Sequence, residues 1–299
     1  MDGILLIDKE AGFTSHDVVA VLRGILHQKK IGHAGTLDPD ATGLLPVCLG
    51  KATKCVNLAA DADKCYSTVM RLGIVTDTQD LGGTVLQERE VSVSEEDVRT
   101  AVSSFAGGYD QIPPMYSAKK VNGQKLYDLA RKGKVVERQP VHVRIERIRI
   151  DWVSLPEIAM TVRCGKGTYI RTLCHDIGER LGCGAAMKTL RRTAVAGFGI
   201  AQAVTLEEVR NAAAEGTAEE LLIPVKDLFA GYKRFTVSPA HEIALYNGNA
   251  LFLQWGEASG CFADGEKAAV FDHQGELQAV YSFSEKEGRL KPFKMLLTR

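Results

Sequence analysis

The 299-residue sequence has no Cys-x-x-Cys pair, no histidines at metal-ligand spacing, no apolar run of membrane length and no excess of either charge. The seven cysteines, odd in number, favour neither a disulfide framework nor a zinc ribbon, and reduced thiols in a cytoplasmic protein fit better. The apolar run at residues 4–7 is too short for a secretory signal. No segment approaches the length of a membrane span, so no membrane partner is expected. Gly182-x-Gly184 follows a helical pattern and lacks a third glycine at the dinucleotide-binding offset, and Leu45 stands where a phosphate loop before Gly50-Lys51 needs glycine. No Gly-x-Ser-x-Gly elbow occurs. Metal-dependent and nucleotide-dependent chemistry are therefore disfavoured, and no cofactor is expected.

What is present is an ordinary globular composition with an uneven charge distribution. Apolar residues make up 45% and charged residues 25%, enough to bury a core without covalent staples. Lysines and arginines number 37, as do the acids. Residues 119–150 nevertheless hold ten cations against three acids, a surplus of seven, and residues 163–192 hold seven against two, a surplus of five. The compensating acid lies at residues 77–110 and 205–230. A neutral chain divided in this way can offer one face to a polyanion while the other keeps it soluble, although scattered solvated charge gives the same count.

The pattern predicts an α+β fold with a mixed, largely antiparallel sheet rather than alternating β/α units. Strands are expected at residues 3–7, 64–72, 141–150 (with a bulge) and 158–164. Ser15 is placed to cap a helix carrying Val18, Val19, Leu22 and Ile25, and a further helix is expected at 169–181, where Ile170, Leu173, Ile177 and Leu181 recur at helical spacing. Ser94 to Asp97 and Thr205 to Glu208 read as capping boxes. Residues 29–50, rich in glycine, read as loop and short strands. Residues 111–136 contain Pro113-Pro114, many cations and a short helix near 126–131, and fit a basic arm. A boundary near 230–234 divides a domain at 1–230 from a small β-rich module at 231–299, where short strands alternate with glycines.

The most informative stretch runs Gly32-His33-Ala34-Gly35-Thr36-Leu37-Asp38-Pro39-Asp40-Ala41-Thr42-Gly43. Its glycines permit close backbone approach and Pro39 stiffens the chain behind an acid. From the residues alone, Asp38 reads as a turn or capping aspartate. The stretch closely resembles the G-H-x-G-T-L-D-P-x-A-x-G motif of the TruB family of tRNA pseudouridine synthases. Further blocks are similar in order along nearly the whole chain: Lys64-x-Tyr66, Pro113-Pro114-Met115-Tyr116-Ser117-Ala118-Lys119, Lys125-Leu126-Tyr127, Lys166-Gly167-Thr168-Tyr169-Ile170-Arg171 and Leu190-Arg191-Arg192. The tail, with Gly288-Arg289-Leu290-Lys291-Pro292, is similar to a PUA domain. One departure is Glu10, which follows Lys9 where the family usually has proline and so bears on the geometry of that loop.

The resemblance implies a catalytic domain of the pseudouridine synthase type, with a PUA-like domain behind it, that isomerises uridine 55 in the T loop of tRNA. It implies Asp38 as nucleophile. The reaction moves the ribose C1′ bond from uracil N1 to C5 without gain or loss of atoms, and a carboxylate can hold the reactive centre while the base turns. Arg171 is implied as its partner, since a guanidinium can fix a carboxylate's aim and lower its pKa by ~1–3 units. Without the resemblance, Arg171 reads as a surface helix charge. Tyr66 is implied either to stack on uracil or to assist removal of the C5 proton, although a phenol with a pKa of about 10 is a poor base unless perturbed. Tyr169 and Leu190 are implied to line the pocket, with core packing as the plainer reading. His33 is implied to contact the flipped nucleotide or to hold the RNA open, with a local hydrogen bond as its alternative. Lys119, Lys120, Arg131 and Lys166 are candidate phosphate contacts. A uridine inside a folded loop must be extruded before reaction, and stacking on an aromatic ring plus phosphate contacts offset that cost.

The expected protein is a cytoplasmic monomer that needs no obligate protein partner. Two alternatives stand beside it: a synthase acting within a guide-RNA complex, against which the self-contained basic arm argues, and an RNA-binding or tRNA-folding factor without turnover.

Overall fold

The computed structural model describes residues 1–296 apart from Ala118, Asn122, Arg131 and Val135, with only the backbone of Lys120 and Lys125. The expected phosphate contact Arg131 therefore lies outside the described residues.

An eight-stranded sheet forms the larger layer. Its main path runs Gly3–Lys9, Thr42–Leu49, Ala185–Val195, Lys64–Leu72, Glu157–Cys164 and Ile145–Ser154. Ile31–His33 pairs on Thr42–Leu49, and Phe198–Gly199 on Ala185–Val195. All pairings are antiparallel except the contact of Arg191 and Arg192 with Thr42 and Gly43. The Gly3–Lys9 strand shows why the sheet sits in the middle. Leu5 and Ile7 point into a core shared with the helices Ser15–Ile25 and Ile170–Arg180, while Ile4 and Leu6 point into a second core on the opposite face. A strand covered on both sides needs an unbroken apolar run, which residues 4–7 supply.

A six-stranded sheet follows, in the order Leu251–Phe252, Arg289–Met295, Leu277–Ser284, Lys267–Phe271, Lys233–Val237 and Gly256–Ala258. Phe235, Val237, Leu245 and Tyr281 form its own core, while Ala269, Phe271 and Val280 join the second core under the first sheet. Hydrophobic contact therefore links the two sheets.

Four elements depart from the sequence reading. Thr14, not Ser15, caps the first helix, closing a capping box with Asp17. Residues 29–50, expected as loop and short strands, contain an eight-residue strand, Thr42–Leu49, longer than expected because Leu44, Leu45, Val47, Cys48 and Leu49 are all fully buried despite the adjacent glycine and proline. Residues 141–150 divide between two sheets: Val141–Val143 pairs with Tyr109–Gln111, whereas Ile145–Ser154 joins the large sheet. The eleven-residue strand Ala185–Val195 is missed by alternation, since two register shifts and the cations Lys188, Arg191 and Arg192 break its pattern.

Candidate active site

The segment bearing Asp38 is fastened from several directions. The backbone turns sharply at Asp38, whose carbonyl accepts from Ala41 N–H at 3.1 Å, with Pro39 at the turn position that favours proline. Ser15 Oγ accepts from Leu37 N–H at 2.9 Å and donates to Leu37 O at 3.2 Å, and Leu37 itself is anchored in the core. The Lys9 ammonium, 1% exposed, donates to the carbonyls of Glu10, Phe13 and Pro39 at 2.8, 2.7 and 2.9 Å. Glu10, the departure from the family pattern, therefore contributes its backbone carbonyl to this clamp. Gly43 has φ +99°, and an added Cβ would lie 2.3 Å from Arg192 O, so no other residue fits.

Arg171 stands over this segment from the first turn of the Ile170–Arg180 helix. Its Nη2 lies 3.2 Å from Asp38 Oδ2 and donates to Tyr116 O at 2.6 Å, while Nη1 lies 3.6 Å from Asp80 Oδ2. The guanidinium side chain is 8% exposed and the Asp38 carboxylate 45%. The expected lowering of the Asp38 pKa is not found. Enclosure by protein pushes the carboxyl above its ordinary range; Arg171 and Lys9 pull it down, and Asp80 and Asp40 push it up. Dehydration outweighs the single close cation because that cation is itself shared between two acids.

Asp80 escaped the sequence reading, where it counted only as part of an acidic tract. It is held by Thr78 Oγ1, which donates to Oδ1 at 2.7 Å, and by Gly82 N–H at 3.1 Å. Gln79 beside it adopts φ +65° and accepts from Thr172 Oγ1 at 2.7 Å, tying the Asp80 turn to the helix that carries Arg171. The only sequence signal is a Thr-x-Asp turn followed by Gly82-Gly83 shortly after the Tyr66 strand.

Asp38, Asp80 and Arg171 open into a cavity of about 690 Å³ whose walls include Tyr66, Tyr116, Tyr169 and Leu190. That volume suits a nucleotide-sized ligand. Tyr66 is 7% exposed; burial pushes its hydroxyl upward and Arg192 pulls it back. Tyr169 precedes the helix in extended conformation. Gln111 fixes it on both sides, accepting from Tyr169 N–H at 2.9 Å and donating to Tyr169 O at 3.0 Å. Gln111 also donates to the Tyr109 hydroxyl, which donates to Asp176, both at 2.7 Å. This buried support was not foreseen.

The remaining candidates fall elsewhere. His33 is not among the residues lining the cavity; it meets His16 edge-on at 5.0 Å, and burial lowers its pKa to about 4, leaving a neutral ring at physiological pH. Lys166 is exposed and pairs with Asp61 at 3.1 Å, although its neighbours Gly165, Gly167 and Thr168 reach the cavity rim. Lys119 is partly exposed, and Lys120 lies in a short hairpin with Lys125.

Comparison with known proteins agrees with this geometry. Residues 23–170 match the model of the TruB family pseudouridylate synthase N-terminal domain, and residues 171–230 that of the tRNA pseudouridylate synthase B C-terminal domain. The tRNA pseudouridine synthase B of Lachnoclostridium phytofermentans is 47% identical across 99% of this chain and 100% of its own length. That of Pseudomonas fluorescens is 42% identical across 99% and 96%, and that of Bacillus pumilus 39% across 99% and 98%. Among solved structures, a Cbf5-Nop10-Gar1 complex contains a chain that superposes with a TM-score of 0.79 at 25% identity, covering 99% of this chain and 85% of that one. A chain of an H/ACA RNP bound to a substrate RNA containing 2′-deoxyuridine shares the fold, with a TM-score of 0.77 at 24% identity, covering 99% and 86%. With the aspartate motif set beneath a guanidinium and relatives aligned from end to end, the chain belongs to the TruB family of pseudouridylate synthases.

Proposed function

We propose that this chain isomerises uridine 55 in the T loop of tRNA to pseudouridine, with Asp38 as the nucleophile. The observation that carries the reading is the Asp38 carboxylate, held 3.2 Å from a buried guanidinium at the base of a nucleotide-sized cavity with tyrosines in its walls. The target uridine swings out of its stack into this cavity, and its base lies against Tyr66 or Tyr169. Asp38 attacks ribose C1′ or uracil C6, the C1′–N1 bond breaks, and the C1′–C5 bond forms as Asp38 leaves; the C5 proton is then lost and N1 takes one up, so no atom is gained or lost. Arg171 aims the carboxylate, and Leu190 supplies an apolar wall that keeps water from the reacting centre. No redox partner is required, because substrate and product are isomers.

Residues 1–230 act as the catalytic domain, with the arm at 111–136 gripping RNA phosphates through Lys119, Lys120 and Arg131. Residues 231–299 act as a PUA-like RNA-binding domain. The chain works as a monomer in the cytoplasm without a guide RNA or protein partner. End-to-end identity of 39–47% to tRNA pseudouridine synthase B supports this over the guide-RNA reading, since the Cbf5 chain of a multi-protein complex is only 25% identical.

The test is to incubate the purified chain with a tRNA transcript, without added cofactor, and map pseudouridine. Conversion at position 55 by the native chain and none by Asp38→Asn is expected. Pseudouridine from Asp38→Asn would remove Asp38 from the role.

A further inference from the structure

One buried cation has no part in the mechanism so far. Arg192 is 0% exposed, and no described carboxylate forms an ion pair with it. A guanidinium taken out of water without an anion is costly, and the cost is aggravated here by the Lys64 ammonium, itself buried. Burial draws Arg192 below the usual arginine range. A fold retains such a group when its placement serves something else.

The hydrogen bonds of Arg192 show what it serves. Nε donates to Leu44 O at 2.7 Å and Nη2 to Gly35 O at 3.1 Å. Those two carbonyls stand on either side of the segment that carries Asp38. The third nitrogen, Nη1, has no hydrogen-bond partner among the described residues and lies beside Gly35, where an added Cβ would come within 3.4 Å of it. Across the sheet, the residue directly opposite Arg192 is Tyr66.

We propose that Arg192 is a positioning residue for the isomerisation: its planar fork braces both ends of the Asp38 segment and holds the Tyr66 phenol in the cavity wall. The proposal rests on the pseudouridine synthase reading. An arginine N–H offered to the phenol oxygen leaves the hydroxyl hydrogen free to point at a bound base. The same charge restrains the upward push that burial gives Tyr66. Asp38 and Cys164 act on that phenol in the opposite sense, and Lys9, Lys64 and His33 also feel the guanidinium. A lysine at 192 cannot replace it, because one ammonium lacks the spread of a fork that reaches Leu44 and Gly35 together and leaves a third nitrogen on the face shared with Tyr66.

The experiment uses the full chain with Arg192→Met and Arg192→Lys, measuring single-turnover pseudouridine formation and tRNA affinity. Arg192→Met is expected to slow the reaction about 100-fold while Kd stays within about threefold, with Arg192→Lys recovering only part of the loss. An unchanged rate, or equal losses of rate and affinity, overturns the proposal. A second measurement leaves Arg192 in place and decides the matter if neither variant melts cooperatively. 3-Fluorotyrosine is introduced at position 66 or at position 109, and its fluorine resonance is followed against pH. Both phenols are enclosed, but Tyr109 donates to the Asp176 carboxylate instead of meeting a cation. The resonance at 66 is expected to titrate at lower pH than that at 109, and the reverse order overturns the proposal. This readout involves no turnover, and conversion of tRNA by the native chain is scored separately, so failure here is distinct from failure of the synthase reading.

Discussion

Asp80 shares with Asp38 a single guanidinium, that of Arg171, at 3.6 and 3.2 Å. The two acids therefore face one cation, and Asp80 raises the cost of ionising Asp38. Replacing Asp80 with asparagine frees Arg171 for Asp38 but removes one of the supports that aim it. Asp80→Asn is expected to lower the single-turnover rate by roughly 10–100-fold with little change in tRNA affinity. The sign of the pH effect separates the two partners. Asp80 pushes the Asp38 carboxyl up and Arg171 pulls it down. The acid limb of the rate profile is expected to move to lower pH in Asp80→Asn and to higher pH in Arg171→Gln. Rate profiles between pH 4 and 9 check both shifts; movement of both limbs in one direction would refute the shared-cation account.

The raised pKa of Asp38 also makes a stability statement. A carboxyl whose folded pKa lies above its unfolded value contributes fully below the unfolded pKa, and that contribution is lost as pH rises through the folded pKa. At pH 8 the ionised Asp38 is thus a liability to the fold, which Asp38→Asn removes. The variant is expected to melt about 1–2 °C above the native chain at pH 8, a small gain because 45% of the carboxylate side chain faces solvent. The gain should shrink as pH falls toward 4 and the carboxyl takes up its proton. Calorimetry at the two pH values checks it, and a lower Tm for the variant at pH 8 would contradict the direction of the shift.

Gly43 illustrates a tighter constraint. A methyl group there meets Arg192 O at 2.3 Å and N at 2.8 Å, and the backbone at φ +99° is strained for any other residue. Both clashes are with backbone, so no rotamer change relieves them. Gly43→Ala is expected to cost more than about 2 kcal/mol, read as a lowered urea midpoint at unchanged m-value. Because Gly43 faces the strand that carries Leu190, Arg191 and Arg192, the rate should fall as well.

The elements legible in the sequence were those with a local signature. The Lys64–Leu72 strand alternates, the Glu95–Ser103 and Leu206–Glu215 helices open with capping boxes, and Asp38 sits in a long ordered motif. Arg171, Tyr66, Tyr169 and Leu190 line one cavity with Asp38. The supports were not legible, because each depends on pairs far apart in the chain. Ser15 reaches Leu37, Lys9 reaches Pro39, and Gln111 reaches Tyr169 across 58 positions. His33, adjacent to the motif in sequence, turns instead toward His16. The direction of the Asp38 pKa was misread for a related reason: enclosure is a property of the assembled cavity and leaves no trace in local composition.

Charge on the arm gives the remaining prediction. The stretch 119–150 carries a surplus of seven cations, and Lys119 and Lys120 sit near the hairpin that leads into the Leu126–Ala130 helix. If these cations neutralise RNA phosphates, binding releases counterions, and affinity falls with salt in proportion to the number of contacts. Each contact contributes about 0.7–0.9 to the slope of log K against log salt, so replacing Lys119, Lys120 and Arg131 together by glutamine should flatten it by about 2–3. Affinity at low salt should drop accordingly, while conversion at saturating tRNA is expected to be retained, since these cations are assigned to phosphate binding and not to the chemistry. Filter binding between 50 and 300 mM salt measures the slope. A slope equal to that of the native chain would place the arm's cations outside the RNA interface and leave the second basic tract, residues 163–192, to carry the phosphates.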